Sequence, residues 1–102
     1  MKIAVAATSS ETDAEVEMRG ARASCYHLFD EQGELLEVLA NPFLQVDRGA
    51  APKAALLLSD KEVTLLAAGE FGPRFSSELE QRGIQHLQKS GLVSDVIREL
   101  VT

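Results

Sequence analysis

Two six-residue runs, Lys2–Ala7 (Lys-Ile-Ala-Val-Ala-Ala) and Val63–Ala68 (Val-Thr-Leu-Leu-Ala-Ala), carry apolar side chains at nearly every position. A strand that is apolar on both faces must be covered on both, so each run belongs in the middle of a sheet sandwiched between other layers. The second run breaks into Gly69-Glu70-Phe71-Gly72-Pro73, where two glycines three residues apart precede a helical pattern. Pro73 falls at the first helical position, which its fixed φ favours. Such a strand-to-helix turn leaves backbone N–H groups facing outward at the positive end of a helix dipole, a setting suited to an anion.

The rest of the chain fits around these two strands. Thr8 to Ala23 shows neither helical nor strand period; it begins acidic (Glu11, Asp13, Glu15, Glu17) and ends basic (Arg19, Arg22). A polar loop of that length in a compact domain is usually functional or disordered. Cys25–Asp30 and Glu34–Leu39 read as two antiparallel strands joined by a turn at Glu31-Gln32-Gly33, and Asn41-Pro42 ends the second of them. Helices are expected over Ala50–Asp60, with Ala54, Leu57 and Leu58 on its buried stripe, and over Pro73–Arg82, with Phe75 and Leu79 inward and Gly83 as the cap. A short strand Ile84–Leu87 and a last helix carrying Val93, Val96, Ile97 and Leu100 complete the order β-β-β-α-β-α-β-α. Alternation of the later strands with helices implies parallel pairing and right-handed crossovers. The expected fold is therefore a single-domain, three-layer α/β/α structure on a five-stranded mixed sheet.

At 102 residues the chain is long enough for one core. Its net charge of −6 argues against nucleic acid and anionic membranes as partners. No run approaches the ~18 apolar residues of a membrane helix, and the N-terminus lacks the h-region and cleavage site of a signal peptide. Cys25, the single cysteine, has no internal partner, which agrees with a reducing compartment. A soluble cytoplasmic protein is expected.

Several motifs together resemble a known family. They are the Met-Lys-Ile-Ala-Val start, Arg19-Gly20-Ala21-Arg22-Ala23, Asn41-Pro42, Gly49-Ala50-Ala51 and Gly69-Glu70-Phe71-Gly72-Pro73. In pattern and order along nearly the whole chain they are similar to the dinitrogenase iron-molybdenum cofactor biosynthesis domain, of the NifX and NifB C-terminal type. Family members commonly show Arg-Phe-Gly-Arg-Ala where this chain has Arg-Gly-Ala-Arg-Ala; both arginines are kept, while the aromatic is missing and the glycine sits one place earlier. The resemblance implies a ribonuclease H-like topology with the second strand antiparallel, and a small protein that holds or carries an iron-molybdenum or related molybdenum-sulfur cluster. Its partners would then be the anionic cluster and cofactor-assembly proteins. Whether it acts as a monomer or a weak homodimer is left open.

In such a topology the ends of the first, third and fourth strands open on one edge of the sheet, where open α/β folds bind ligands. The long loop, the Asn41–Gly49 loop and the Gly69–Pro73 turn meet there as a mouth. Arg19, Arg22, Arg48, Lys53 and Arg74 lie in or beside these segments, half of the ten basic residues, with Asp47 and Glu70 among them. Arg19 and Arg22 are candidates for charge-assisted contact with an anion, and Gly69, Gly72 and Pro73 for its backbone cradle. The plainer reading of those glycines is that the turn needs their backbone angles.

Cys25 and His27, two apart on a strand, leave the same face. A thiolate and an imidazole are ligands that iron, molybdenum or copper accepts. The plainer alternative is a small buried hydrophobe beside a hydrogen-bonded histidine. His86 reads as structural. Ser76 and Ser77 are first-turn helix residues with no His-acid pair nearby in sequence, and neither Cys-x-x-Cys nor His-x-x-x-His occurs. A binding protein is thus expected and not an enzyme. Two other classes remain: phosphoryl or nucleotide chemistry at the Gly69–Pro73 turn with Glu70 and Asp30 on a metal ion, and an interaction module.

Overall fold

The computed structural model describes all of residues 1–102. Its sheet is built from β1 (Lys2–Ala7), β2 (Cys25–Phe29), β3 (Leu35–Ala40), β4 (Val63–Ala68) and β5 (Gln85–Gln88), in the spatial order β3-β2-β1-β4-β5. β2 runs antiparallel to both β1 and β3, while β1, β4 and β5 are mutually parallel. The helices are α1 (Ala50–Asp60), α2 (Pro73–Gln81) and α3 (Val93–Val101). No helix is long and apolar enough to cross a membrane.

Strand parity sorts the core into two halves. Ala4, Ala6, Tyr26, Leu28, Leu66 and Ala68 face α1 and α2, which contribute Ala54, Ala55, Leu58, Phe75 and Leu79. Ile3, Val5, Ala7, Cys25, Phe29 and Ala67 face α3, which contributes Val93, Val96 and Ile97. The three layers expected from the two-faced strands are therefore present, with β1 central. On α1 the buried stripe is Ala54, Ala55 and Leu58, and Leu57 is only partly covered; the alanines let the helix axis lie close to the sheet. Each fully buried Leu or Phe, such as Leu79 or Phe75, contributes about 1.5–3 kcal/mol relative to exposure.

Element boundaries differ from the sequence reading by one residue in several places, and the causes are local. β2 ends at Phe29 because the Asp30 carboxylate accepts hydrogen bonds from the N–H groups of Gln32 and Glu34, both at 2.9 Å, and turns the chain. This side chain therefore stabilises a turn at the end of the sheet away from the mouth. A bulge between Leu28 and Phe29 shifts the β2–β3 register, so β3 begins at Leu35 and continues to Ala40. Gly83, with φ 72°, stands directly after the cap of α2, as its position predicts.

The segment from Thr8 to Ala23 departs most from expectation, since it is ordered by backbone pairing. Glu17 N–H donates to Ala6 O, and Gly69 N–H donates to Glu17 O, both at 2.9 Å. Glu70 N–H donates to Met18 O, and Gly20 N–H to Glu70 O. Residues 15–20 are thus wedged between the diverging C-terminal ends of β1 and β4. On its other side Val16 N–H donates to Gly91 O, and Ala14 O accepts from Val93 N–H.

Candidate functional site

The wedge ends in a single 3-10 turn at Gly20–Arg22, and that turn forms one wall of a cavity. The cavity holds about 600 Å³ and is lined from three directions. Arg19, Gly20, Ala21 and Arg22 come from the wedge; Asp47, Arg48, Gly49, Ala50, Ala51 and Pro52 from the loop into α1; and Glu70, Gly72, Pro73, Arg74 and Phe75 from the turn into α2. The three segments expected to meet do meet. Arg19, Arg22, Gly72 and Pro73 all line the space, and Gly69 lies one residue behind it.

Buried polar groups fix the wall in place. Tyr26 Oη, within the sheet, donates to Gly20 O at 2.5 Å. Asn41 Nδ2 donates to Ala21 O and Ala23 O at 3.2 and 3.0 Å, while Asn41 Oδ1 accepts from Phe43 N–H at 3.0 Å. One buried amide therefore clamps two of the three segments. Arg22 Nη1 donates to Val46 O at 3.0 Å and to Leu44 O at 3.3 Å, so this guanidinium braces the 43–49 loop from inside the mouth. Lys53 does not line the cavity; its Nζ sits 5.8 Å from the centre of the Phe43 ring.

The charges of the site are unusual for this protein. Arg19, Arg22, Arg48 and Arg74 have no carboxylate within ion-pairing distance, although Asp47 and Glu70 share the cavity lining. Away from the mouth the pattern reverses: Lys61 pairs with Glu37, Arg82 with Glu78, Lys89 with Glu99 and Arg98 with Asp95. Lys2 and Lys53 are the two unpaired exceptions. Both helices that start at the mouth also lack a side-chain cap, at Gly49 for α1 and Gly72 for α2. The N–H groups of Ala50, Ala51, Arg74 and Phe75 consequently have no protein partner, and each helix adds the positive end of its dipole. Four guanidinium groups and two uncapped helix ends converge on one cavity of an acidic protein.

The two glycines of the turn have different physical reasons. Neither has a positive φ, so the expectation that the turn requires glycine angles is not met. A Cβ on Gly69 would stand 2.6 Å from Met18 Cα, so that glycine admits the wedge against β4. At Gly20 a Cβ would come within 2.9 Å of the Phe75 ring. Around Gly72 there is nothing within 4 Å of an added Cβ.

Cys25 and His27 share a face, as their spacing predicts, but it is the face opposite the mouth, under α3. Both are buried, and both turn toward one atom: Cys25 Sγ donates to Ser9 O at 3.1 Å, and His27 Nε2 lies 2.8 Å from the same oxygen. Because a carbonyl only accepts, His27 carries its proton on Nε2. Burial raises the Cys25 thiol above its ordinary pKa, which disfavours a thiolate. The structure does not bring these two residues to the arginines; parity fixed their common face and left the choice of face to the packing of α3. No group of three or more His, Cys, Asp and Glu side chains is arranged to hold a metal ion. His86 lies behind the turn, its ring 4.9 Å from that of Phe71, with Nε2 4.0 Å from Glu80.

Comparison with known proteins agrees with this architecture. The family described as dinitrogenase iron-molybdenum cofactor matches residues 1–102. Among solved structures, the orange protein of Desulfovibrio gigas in its apo form superposes with a TM-score of 0.91 at 27% identity, over 98% of this chain and 86% of that one. A candidate NifB protein from Thermotoga superposes at 0.81 with 24% identity, over 95% of this chain and 84% of that one, a likeness of fold. No curated protein matches the chain in sequence.

Proposed function

The chain belongs to the dinitrogenase iron-molybdenum cofactor family, and from that premise we propose that it holds and passes on a metal-sulfur cluster, or the precursor of one, as an anionic cargo in the three-segment mouth. The observation that carries this reading is the contrast in ion pairing. Elsewhere carboxylates pair with Lys61, Arg82, Lys89 and Arg98 and leave Lys2 and Lys53 without one, whereas around the one cavity none of Arg19, Arg22, Arg48 and Arg74 has a carboxylate partner, Arg22 being held on Leu44 O and Val46 O. Guanidinium groups with no carboxylate to neutralise them and uncapped N–H donors stabilise an arriving anion with little reorganisation.

The lining favours a sulfide-covered anion over a small oxyanion. Ala21, Ala50, Ala51, Pro52, Pro73 and Phe75 add apolar surface to the lining that the arginines share. Phosphate and sulfate are strongly hydrated and avoid such surface, whereas sulfur is soft and polarizable. The cargo in this reading keeps its own complete set of ligands, and the protein contributes hydrogen bonds and charge instead of a metal bond. Cys25 and His27 are given structural work, because their protons are already engaged on Ser9 O. The role is that of a carrier without catalysis, serving cofactor-assembly proteins in the cytoplasm. The strand order, with β2 antiparallel, supports a ribonuclease H-like scaffold.

The test is anaerobic titration with tetrathiomolybdate, a molybdenum-sulfur dianion, beside molybdate and inorganic phosphate, followed by desalting and metal analysis. Retention of about one molybdenum per chain from tetrathiomolybdate alone is the expected result. Retention of none contradicts the carrier reading. Equal competition by phosphate would favour the phosphate-binding alternative, for which the two uncapped helix ends are the supporting observation.

A further inference from the structure

Three glycines around the mouth have a folding reason to be glycine. Gly49 has φ 79°, Gly20 lies against the Phe75 ring and Gly69 against Met18 Cα. Gly72 has none of these. Its φ and ψ of −66° and 156° are ordinary extended values, and they are the values that a non-glycine residue before a proline prefers. An added Cβ meets no protein atom within 4 Å. As the N-cap of α2 it occupies a position where Ser, Asn and Asp stabilise a helix better than glycine. Conformation, packing and capping therefore all permit a side chain here. The position borders the cavity, between Glu70 and the free N–H groups of Arg74 and Phe75.

We infer that Gly72 is a specificity-determining residue of the cargo site: its missing side chain leaves the room into which a bulky anion settles to reach the uncapped N–H groups at the start of α2. The inference rests on the cargo reading above and adds how depth and size are selected. A Cβ at position 72 fills the space over those donors. A large sulfide-covered anion is then held away from them, whereas a small oxyanion still fits beside the new group.

Gly72→Ser separates this role from folding, because serine caps the helix while filling the space. The expected result is an unchanged or higher melting temperature, with tetrathiomolybdate binding weakened at least tenfold. Gly72→Ala, which cannot cap, should show the same loss of binding, and phosphate binding, if measurable, should change less than twofold in either variant. Tetrathiomolybdate affinity within twofold of wild type in Gly72→Ser would overturn the inference. The control is the unsubstituted protein: if it retains no tetrathiomolybdate, the cargo reading itself has failed, and if it binds while Gly72→Ser binds equally, only the role of Gly72 has.

Discussion

The phenol of Tyr26, buried in the middle of the sheet, donates to the carbonyl of Gly20 at 2.5 Å. The hydrogen bond joins the deepest part of the core to the turn between Arg19 and Arg22, so that mouth and core share one polar contact.

Tyr26→Phe should therefore affect stability and site together. It leaves a buried carbonyl unsatisfied, which costs about 1–3 kcal/mol, measurable by urea denaturation. Cargo binding should weaken as well, because the turn loses its anchor. The pH dependence follows from the same burial. Desolvation pushes the Tyr26 pKa far above its ordinary value of about 10, so the unfolded chain releases the proton first as pH rises. The contribution is complete below pH ~10 and is lost progressively above it. Cys25, raised in the same direction from about 9, begins the decline slightly earlier. Denaturation midpoints should fall from about pH 9 upward, and in Tyr26→Phe the part of the fall above pH ~10 should be smaller.

Gly69→Ala should destabilise the protein, because its Cβ would stand 2.6 Å from Met18 Cα and 2.9 Å from Met18 Sδ. Overpacking against backbone costs about 1–3 kcal/mol. Amide exchange should show the damage where the wedge is paired, with faster exchange at Glu17, Gly69 and Glu70, and little change in α3.

The basic residues should separate into two classes. Removing one of Arg19, Arg48 or Arg74 takes away a charge-assisted contact of about 1.5–3 kcal/mol, so tetrathiomolybdate should bind roughly tenfold to a hundredfold more weakly. Arg98→Ala, which removes one partner of a surface pair with Asp95, should change binding less than twofold. Raising salt from 0.05 to 0.5 M should weaken the wild type through screening. Isothermal titration of the variants under argon measures all of these effects.

The parts of this structure that were legible in the sequence depend on local or two-faced patterns. Lys2–Ala7 and Val63–Ala68 could only be central strands, and Phe75 with Leu79 could only face inward. The meeting of three segments at one edge followed from topology. What could not be read depends on contacts distant in sequence that leave no periodic trace. The wedge at residues 15–20 is held by backbone groups that every residue carries, so its pairing with Ala6 and Gly69 has no signature in side chains. Gly20 and Gly69 are glycine because of Phe75 and Met18, each about 50 residues away. Parity gave Cys25 and His27 a common face but not which helix layer would cover it. Free and paired arginines likewise look the same in a sequence.

The most direct measurement compares two multiple variants with the wild type in one anaerobic tetrathiomolybdate titration, with molybdenum counted after desalting. One replaces Arg19, Arg48 and Arg74 by alanine; the other carries Cys25→Ser and His27→Ala. The arginine variant should retain little or no molybdenum while keeping a wild-type circular dichroism spectrum, and the Cys25/His27 variant, though less stable, should retain about as much as the wild type. Retention by the arginine variant and its loss from a folded Cys25/His27 variant would contradict the account and place the cargo on the opposite face of the sheet.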